Sequence, residues 1–246
     1  MSSIIRAQYR AAVREQLDQK EQDEWSSWLT RCQTVAQEKV QNGELLTCAM
    51  CQYQSMLFLY MEYIVPDNFE SEHKLVSESE PELVAKVVPQ YADLPDQWFA
   101  PASDILRTWP QRDRDRYFSY MYPVFWSDEP VSLEQWKRKQ KPDARCGRIA
   151  VLYPDKLFSY VCHHQALVQE GLLVGDRYQM ISLHENILFS YFETPRDRER
   201  VNIRRSTRES EEIKAWEAVD PYSHFYHFPE ANGENFMIIP TLFSVG

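Results

Sequence analysis

Residues 147–193 read GRIAVLYPDKLFSYVCHHQALVQEGLLVGDRYQMISLHENILFSYFE, and this stretch decides the fold. Arg148–Tyr153 is a short apolar run rich in β-formers. Pro154-Asp155 ends the strand and opens a helix, Asp155 being a suitable N-cap. Leu157, Tyr160, Val161, His164, Leu167, Val168 and Leu172 recur at steps of three and four, so they share one helix face. Gly175-Asp176 is expected to end the helix. Arg177–Leu183 and Ile187–Glu193 then read as strands around a tight turn at His184-Glu185-Asn186. Tyr160 and His164 lie one helical turn apart on the face turned toward the sheet. They are the pair in the chain best suited to chemistry.

Working outward, the N-terminal half has the same order of elements. Residues 4–13 read as a strand and Glu24–Gln41 as an amphipathic helix with Trp25, Trp28, Leu29, Cys32, Val35, Ala36 and Val40 on its buried side. Leu45–Gln52 and Met56–Val65 form a hairpin. Pro66–Glu80 is an acidic connector, Pro81–Trp98 contains a second helix, and Tyr117–Trp126 is an aromatic strand. Ser127–Asp143 reads as a linker between halves. Beyond the central stretch, Pro195–Arg208 is a basic excursion, Glu209–Val219 a short helix, and Asn235–Val245 a last strand.

Leu57-Phe58-Leu59-Tyr60-Met61-Glu62 matches Leu188-Phe189-Ser190-Tyr191-Phe192-Glu193 at a spacing of 131. With the shared element order, this predicts a duplicated β-α-β-β-α-β unit. The expected fold class is α+β: two ferredoxin-like repeats, residues 1–130 and 144–246, packed sheet to sheet as a single-chain version of a dimeric α+β barrel. The first repeat places no Tyr–His pair at the positions matching Tyr160 and His164, so one site per chain is expected.

Composition narrows the function. The net charge of −10 disfavours nucleic acid and anionic membranes as partners. The N-terminus has no apolar signal region, and no window approaches a membrane span. Five cysteines without a secretory context point to free thiols and a cytoplasmic protein. Cys48-x-x-Cys51 lies in a strand, where its side chains face opposite ways, and His224-x-x-His227 with His184 lacks nearby acids, so no metal is expected.

Strand, Pro154-Asp155, helix with Tyr160-x-x-x-His164, then hairpin resembles the L-rhamnose mutarotase family over about residues 147–245. The Ile187–Phe189 strand with Glu193, and the Glu212–Glu217 helix with its following aromatics, are similar too. The resemblance implies a cofactor-free isomerase of carbohydrate metabolism that interconverts sugar anomers. His164 would be the acid–base group and Tyr160 its partner, with Tyr178, Trp216, His224, Phe225 and Tyr226 binding the sugar. It implies a monomer with a pseudo-dimeric core or a homodimer. The family's Trp-Trp pair is replaced here by His224-Phe225-Tyr226, which keeps an aromatic wall and loses the indole donors. Two other readings stand beside this one: a non-catalytic member of the fold that binds a small molecule or a protein, and a monooxygenase-like barrel enzyme acting on an aromatic substrate. An inward-facing His is more often a packed core residue than a catalyst, so its surroundings separate the first two readings: an open polar pocket shared by Tyr160, His164, Tyr178 and Tyr226 favours the mutarotase, and packing in apolar side chains favours the binder.

Overall fold

The computed structural model describes residues 3–65, 89–111, 114–171, 173–196, 202–203 and 210–246. The acidic connector Pro66–Glu80, the first half of the Pro81–Trp98 helix and most of the Pro195–Arg208 excursion lie outside the described residues. The chain is mixed α+β with antiparallel sheets, and it divides into two compact units.

Unit 1 comprises residues 1–121, 130–139 and 241–246. Its elements are β1 (Ser3–Ala12), α1 (Gln19–Gln41), β2 (Leu45–Tyr53), β3 (Met56–Val65), α2 (Pro89–Ala92), α3 (Leu94–Phe99), the start of β4 (Ser119–Trp126) and α4 (Leu133–Trp136). The sheet runs β4-β1-β3-β2, and the C-terminal strand Thr241–Val245 pairs with β2. The first turn of α1 looks like a solvated charge run, yet Asp18 and Glu21 make a reciprocal capping box, so the helix begins five residues before the expected start at Glu24. Trp28, Cys32 and Ala36, four apart, bury against the sheet, and the Trp28 indole donates to the Phe99 carbonyl at 2.7 Å.

Strand period places Ala7, Tyr9 and Ala11 of β1 and Leu57, Leu59, Met61 and Tyr63 of β3 in the core beneath α1. The alternate residues form a second, polar face. There Glu62, fully buried, accepts from the Tyr60 hydroxyl at 2.6 Å, the Trp136 indole at 2.9 Å and the Arg138 guanidinium at 3.0 Å. Arg6, in register with Glu62, donates to Tyr60. The polar segment 127–143 therefore brings Trp136 and Arg138 into unit 1 as partners of a buried carboxylate.

Unit 2 comprises residues 122–129 and 140–240. It contains the end of β4, β5 (Ala144–Leu152), α5 (Leu157–Glu170), β6 (Leu173–Val174), β7 (Met180–His184), β8 (Ile187–Thr194), β9 (Asn202–Ile203), α6 (Glu211–Ala218), β10 (Phe225–Tyr226) and β11 (Met237–Ile239). The sheet runs β10-β5-β8-β7-β4, with β11 also on β5, while β6 and β9 pair separately. A single 3-10 turn over Pro154–Lys156 precedes α5, and Asp155 makes no cap. Gly171, at φ 69°, ends the helix four residues earlier than the expected Gly175-Asp176 stop. The last strand is interrupted at Pro240, which has no N–H for a ladder. Residues 237–239 pair with β5 in unit 2, and residues 241–245 pair with β2 in unit 1.

Candidate functional site

The candidate site lies on the helix side of the unit 2 sheet. Alternation along β5 and β8 turns Arg148, Ala150, Leu152, Leu188, Ser190 and Phe192 toward α5. Helical spacing turns Tyr160, His164 and Leu167 back toward the sheet. Tyr160 and His164 stack, with ring centroids 3.8 Å apart and planes 23° from parallel. Trp216 from α6 meets both edge-on, at 5.8 and 4.8 Å. Phe225 and His224 complete the wall, 5.6 Å from Tyr160 and 4.9 Å from Trp216 respectively.

The hydrogen bonds assign the imidazole tautomers. His164 Nδ1 lies 2.9 Å from the Tyr160 carbonyl. A carbonyl only accepts, so Nδ1 carries the proton and Nε2 keeps its lone pair, with no hydrogen-bond partner among the described residues. Burial pushes the His164 imidazole down to about 4, and the neighbouring His163 and His224 add to this against the Tyr160 hydrogen bond. It is therefore neutral at physiological pH. His224 is held by Asp220 and Ser159: Nδ1 donates to the Asp220 carbonyl, and Nε2 accepts from the Ser159 hydroxyl at 3.0 Å.

Tyr160 is 1% exposed, and its hydroxyl has no hydrogen-bond partner. Burial raises its pKa, and the Arg148 guanidinium opposes that rise. A buried hydroxyl left unpaired costs about 1–3 kcal/mol. Tyr160→Phe is accordingly expected to leave stability unchanged or raise it by about 1 kcal/mol, read from the urea midpoint. A loss of more than that would mean that the hydroxyl is anchored in the fold.

Arg148 is the residue that sequence reading missed. Its Nε donates to Ser190 Oγ at 3.2 Å, and its guanidinium lies over the rings of Phe236 and Phe192 at 4.8 and 5.4 Å. Among the described residues no carboxylate stands within ion-pair distance of it. Burial, then the like charge of Arg196, pushes it down to about 10. The available signal was its place in the run Arg148–Tyr153, where a two-residue period puts a cation on the same face as Ala150 and Leu152.

Other expected site residues stand apart from these stacked rings. Tyr226 is 43% exposed and packs against Tyr153, with ring centroids 3.9 Å apart and planes tilted by 43°. Tyr178 belongs to the turn before β7, not to the strand, and lies beside the Arg177 guanidinium. His227 stacks on Tyr222 at 3.6 Å. Among the described residues no three His, Cys, Asp or Glu side chains are grouped to hold a metal ion. Two open polar depressions lie in unit 1, one lined by Val13, Arg14, Glu15, Gln52, Gln54 and Ser55 and the other by Arg14, Glu15, Gln16, Asp104, Leu106, Arg107 and Thr108.

No known family profile matches the chain, and no curated protein matches it. Solved structures similar to it include a putative monooxygenase from Lactobacillus acidophilus NCFM, at 7% identity and TM-score 0.38, covering 98% of this chain and 95% of that one. Another is an anthrone oxidase-like protein, at 8% identity and TM-score 0.35, covering 99% and 92%. The mutarotase resemblance, with its isomerase and carbohydrate expectations, is thereby corrected: these similarities are to proteins of monooxygenase and oxidase description. The geometry adds its own reason. Tyr160 and His164 are packed among rings, with Tyr226 turned out to solvent, so the polar sugar pocket that the resemblance implied is not assembled.

Proposed function

We propose that the chain is a monooxygenase-like α+β barrel protein that oxidises a planar aromatic substrate at the ring cluster around His164. The observation that carries this is the neutral His164 imidazole, with Nε2 unpaired, set between flat aromatic walls. A neutral imidazole with a free lone pair accepts a proton from an acidic ring carbon or hydroxyl. Tyr160, Trp216 and Phe225 supply faces and edges on which a flat ligand stacks. The resulting carbanion reacts with dioxygen, so that a ring CH2 becomes C=O and the second oxygen atom leaves as water. That balance calls for dioxygen alone. None of the α6 residues is buried, although this helix brings Trp216 over the cluster. Its displacement is the cheapest way to admit a ligand.

An oxygen electrode with a panel of tricyclic phenols and ketones carrying an acidic CH2 tests the reading. Dioxygen uptake should accompany a product heavier by one oxygen and lighter by two hydrogens. The close packing around Tyr160 favours a second reading, a binder without catalysis. Stoichiometric ligand binding with no uptake would select it.

The same proposal covers the architecture. Each unit runs strand, helix, strand, strand, helix, strand, with its first strand between the third and the fourth. Tyr60–Glu62 and Tyr191–Glu193 make the same 2.6 Å hydrogen bond, and Arg6 and Arg145 stand in register with the two glutamates. These features support two ferredoxin-like repeats, an N-terminal one within 1–130 and a C-terminal one within 144–246, forming a single-chain barrel. Among the described residues no helix is long and apolar enough to cross a membrane. No disulfide joins any of the five cysteines.

A further inference from the structure

We propose that Arg148, with the Tyr160 hydroxyl beside it, receives the anionic group of the ligand, and that the ligand is a planar aromatic acid. The inference rests on the aromatic site proposed above and names the substrate class for it.

A guanidinium partly withdrawn from water gains from a carboxylate partner, and folded proteins usually give such charges one. Arg148 is half-buried, with Ser190 on one edge and aromatic rings against it, and among the described residues no carboxylate is paired with it. Among the described residues the nearby carboxylates are otherwise engaged or distant. Asp176 is paired with Arg196, and Glu234 acts on Arg148 only at a distance. Tyr160 presents a second donor, fully buried and without an acceptor. A half-buried guanidinium without a carboxylate among the described residues and a buried phenol without an acceptor, on facing elements, match an oxyanion: the carboxylate takes the guanidinium fork and the phenol adds a third hydrogen bond. The rings of Phe192 and Phe236 beside Arg148, and of His164 and Trp216 beside Tyr160, then fit a flat hydrocarbon carrying that carboxylate. The overall acidity of the chain gives no general attraction for anions, so the selectivity is local.

The test is calorimetric titration of the intact chain with 2-naphthoate and with its uncharged counterpart, 2-naphthamide. The wild-type chain should prefer the naphthoate by roughly 10- to 100-fold. Arg148→Gln should bring that ratio near one while leaving naphthamide affinity within about threefold. Arg148→Lys, which keeps the charge and loses the fork, should give an intermediate ratio. Equal binding of both probes by the wild-type chain overturns the anion assignment and leaves the aromatic site standing. Binding of neither overturns the aromatic site and this inference with it. A preference undiminished in Arg148→Gln removes Arg148 from the role. The wild-type ratio needs no variant, so the proposal stays decidable if Arg148→Gln does not fold. Dioxygen uptake is a separate readout: its absence with an intact ratio refutes the oxidation and not the anion site.

Discussion

Glu62→Ala should cost about 3–5 kcal/mol of stability, the usual result of removing one partner from a buried ion pair. The carboxylate is fully buried and holds three donors at once, from Tyr60, Trp136 and Arg138. Its loss leaves the Arg138 guanidinium, 9% exposed, without the carboxylate that offsets its burial. The cost is thus mostly the desolvation of what remains, not the net worth of the pair. Arg138→Met in the Glu62→Ala background should recover part of it, because two matched apolar groups are cheaper than one stranded charge. Acid titration adds a signature. Burial raises the Glu62 pKa, but Arg138, Arg6 and the Tyr60 hydroxyl outweigh it, and the folded value lies below 4.5. With the folded pKa depressed, this stabilisation is present above the unfolded value and is lost as pH falls through the folded one. The wild type should therefore show an acid limb of lost stability below about pH 4.5 that Glu62→Ala lacks. Urea midpoints across pH measure both effects. A cost under about 1 kcal/mol with an unchanged acid limb would show the network to be ornamental.

The Tyr-x-Glu repeat was visible in the sequence, while the partners of its first glutamate were not. Arg138 sits in a stretch whose composition is that of a linker, and nothing local ties it to a residue 76 positions away. Strands and helices were legible because their signals are local: apolar and aromatic runs in β3 and β8, a 3.6-residue period in α1 and α5. Ends were read less well where a side-chain cap or one glycine decides them, as at Asp18 and Gly171. The interruption at Pro240 was written in the sequence, since proline breaks a ladder, but which strands flank it depends on tertiary pairing. At the site, Tyr160 and His164 followed from helical spacing, and Trp216, His224 and Phe225 entered through a family resemblance that did not hold. Arg148 was hidden because one cation beside five apolar residues does not disturb an apolar run. That no carboxylate among the described residues pairs with it is a property of three dimensions alone.

His164→Ala should lower oxidation of whichever panel substrate supports dioxygen uptake by roughly 10²–10⁴, the usual worth of a positioned general base. The loss should fall on turnover per folded molecule, because Tyr160, Trp216 and Phe225 still offer their rings to the ligand. Its pH dependence identifies the group. Imidazole acts as a base only when neutral, and burial sets its pKa near 4. Activity should therefore hold from neutrality downward and fall as pH drops through about 4. Stability follows the same residue over a different window. The unfolded chain takes up a proton near 6.5, whereas the folded chain resists until about 4. The folded pKa is depressed, so between these values the unfolded state binds more protons and stability declines as pH falls from 6.5 toward 4. His164→Ala should be less stable at pH 7 through lost ring packing, yet lose less on acidification across that window. Unchanged turnover in His164→Ala, with the acid-dependent stability term gone, would make the imidazole a core residue and leave the site without a base.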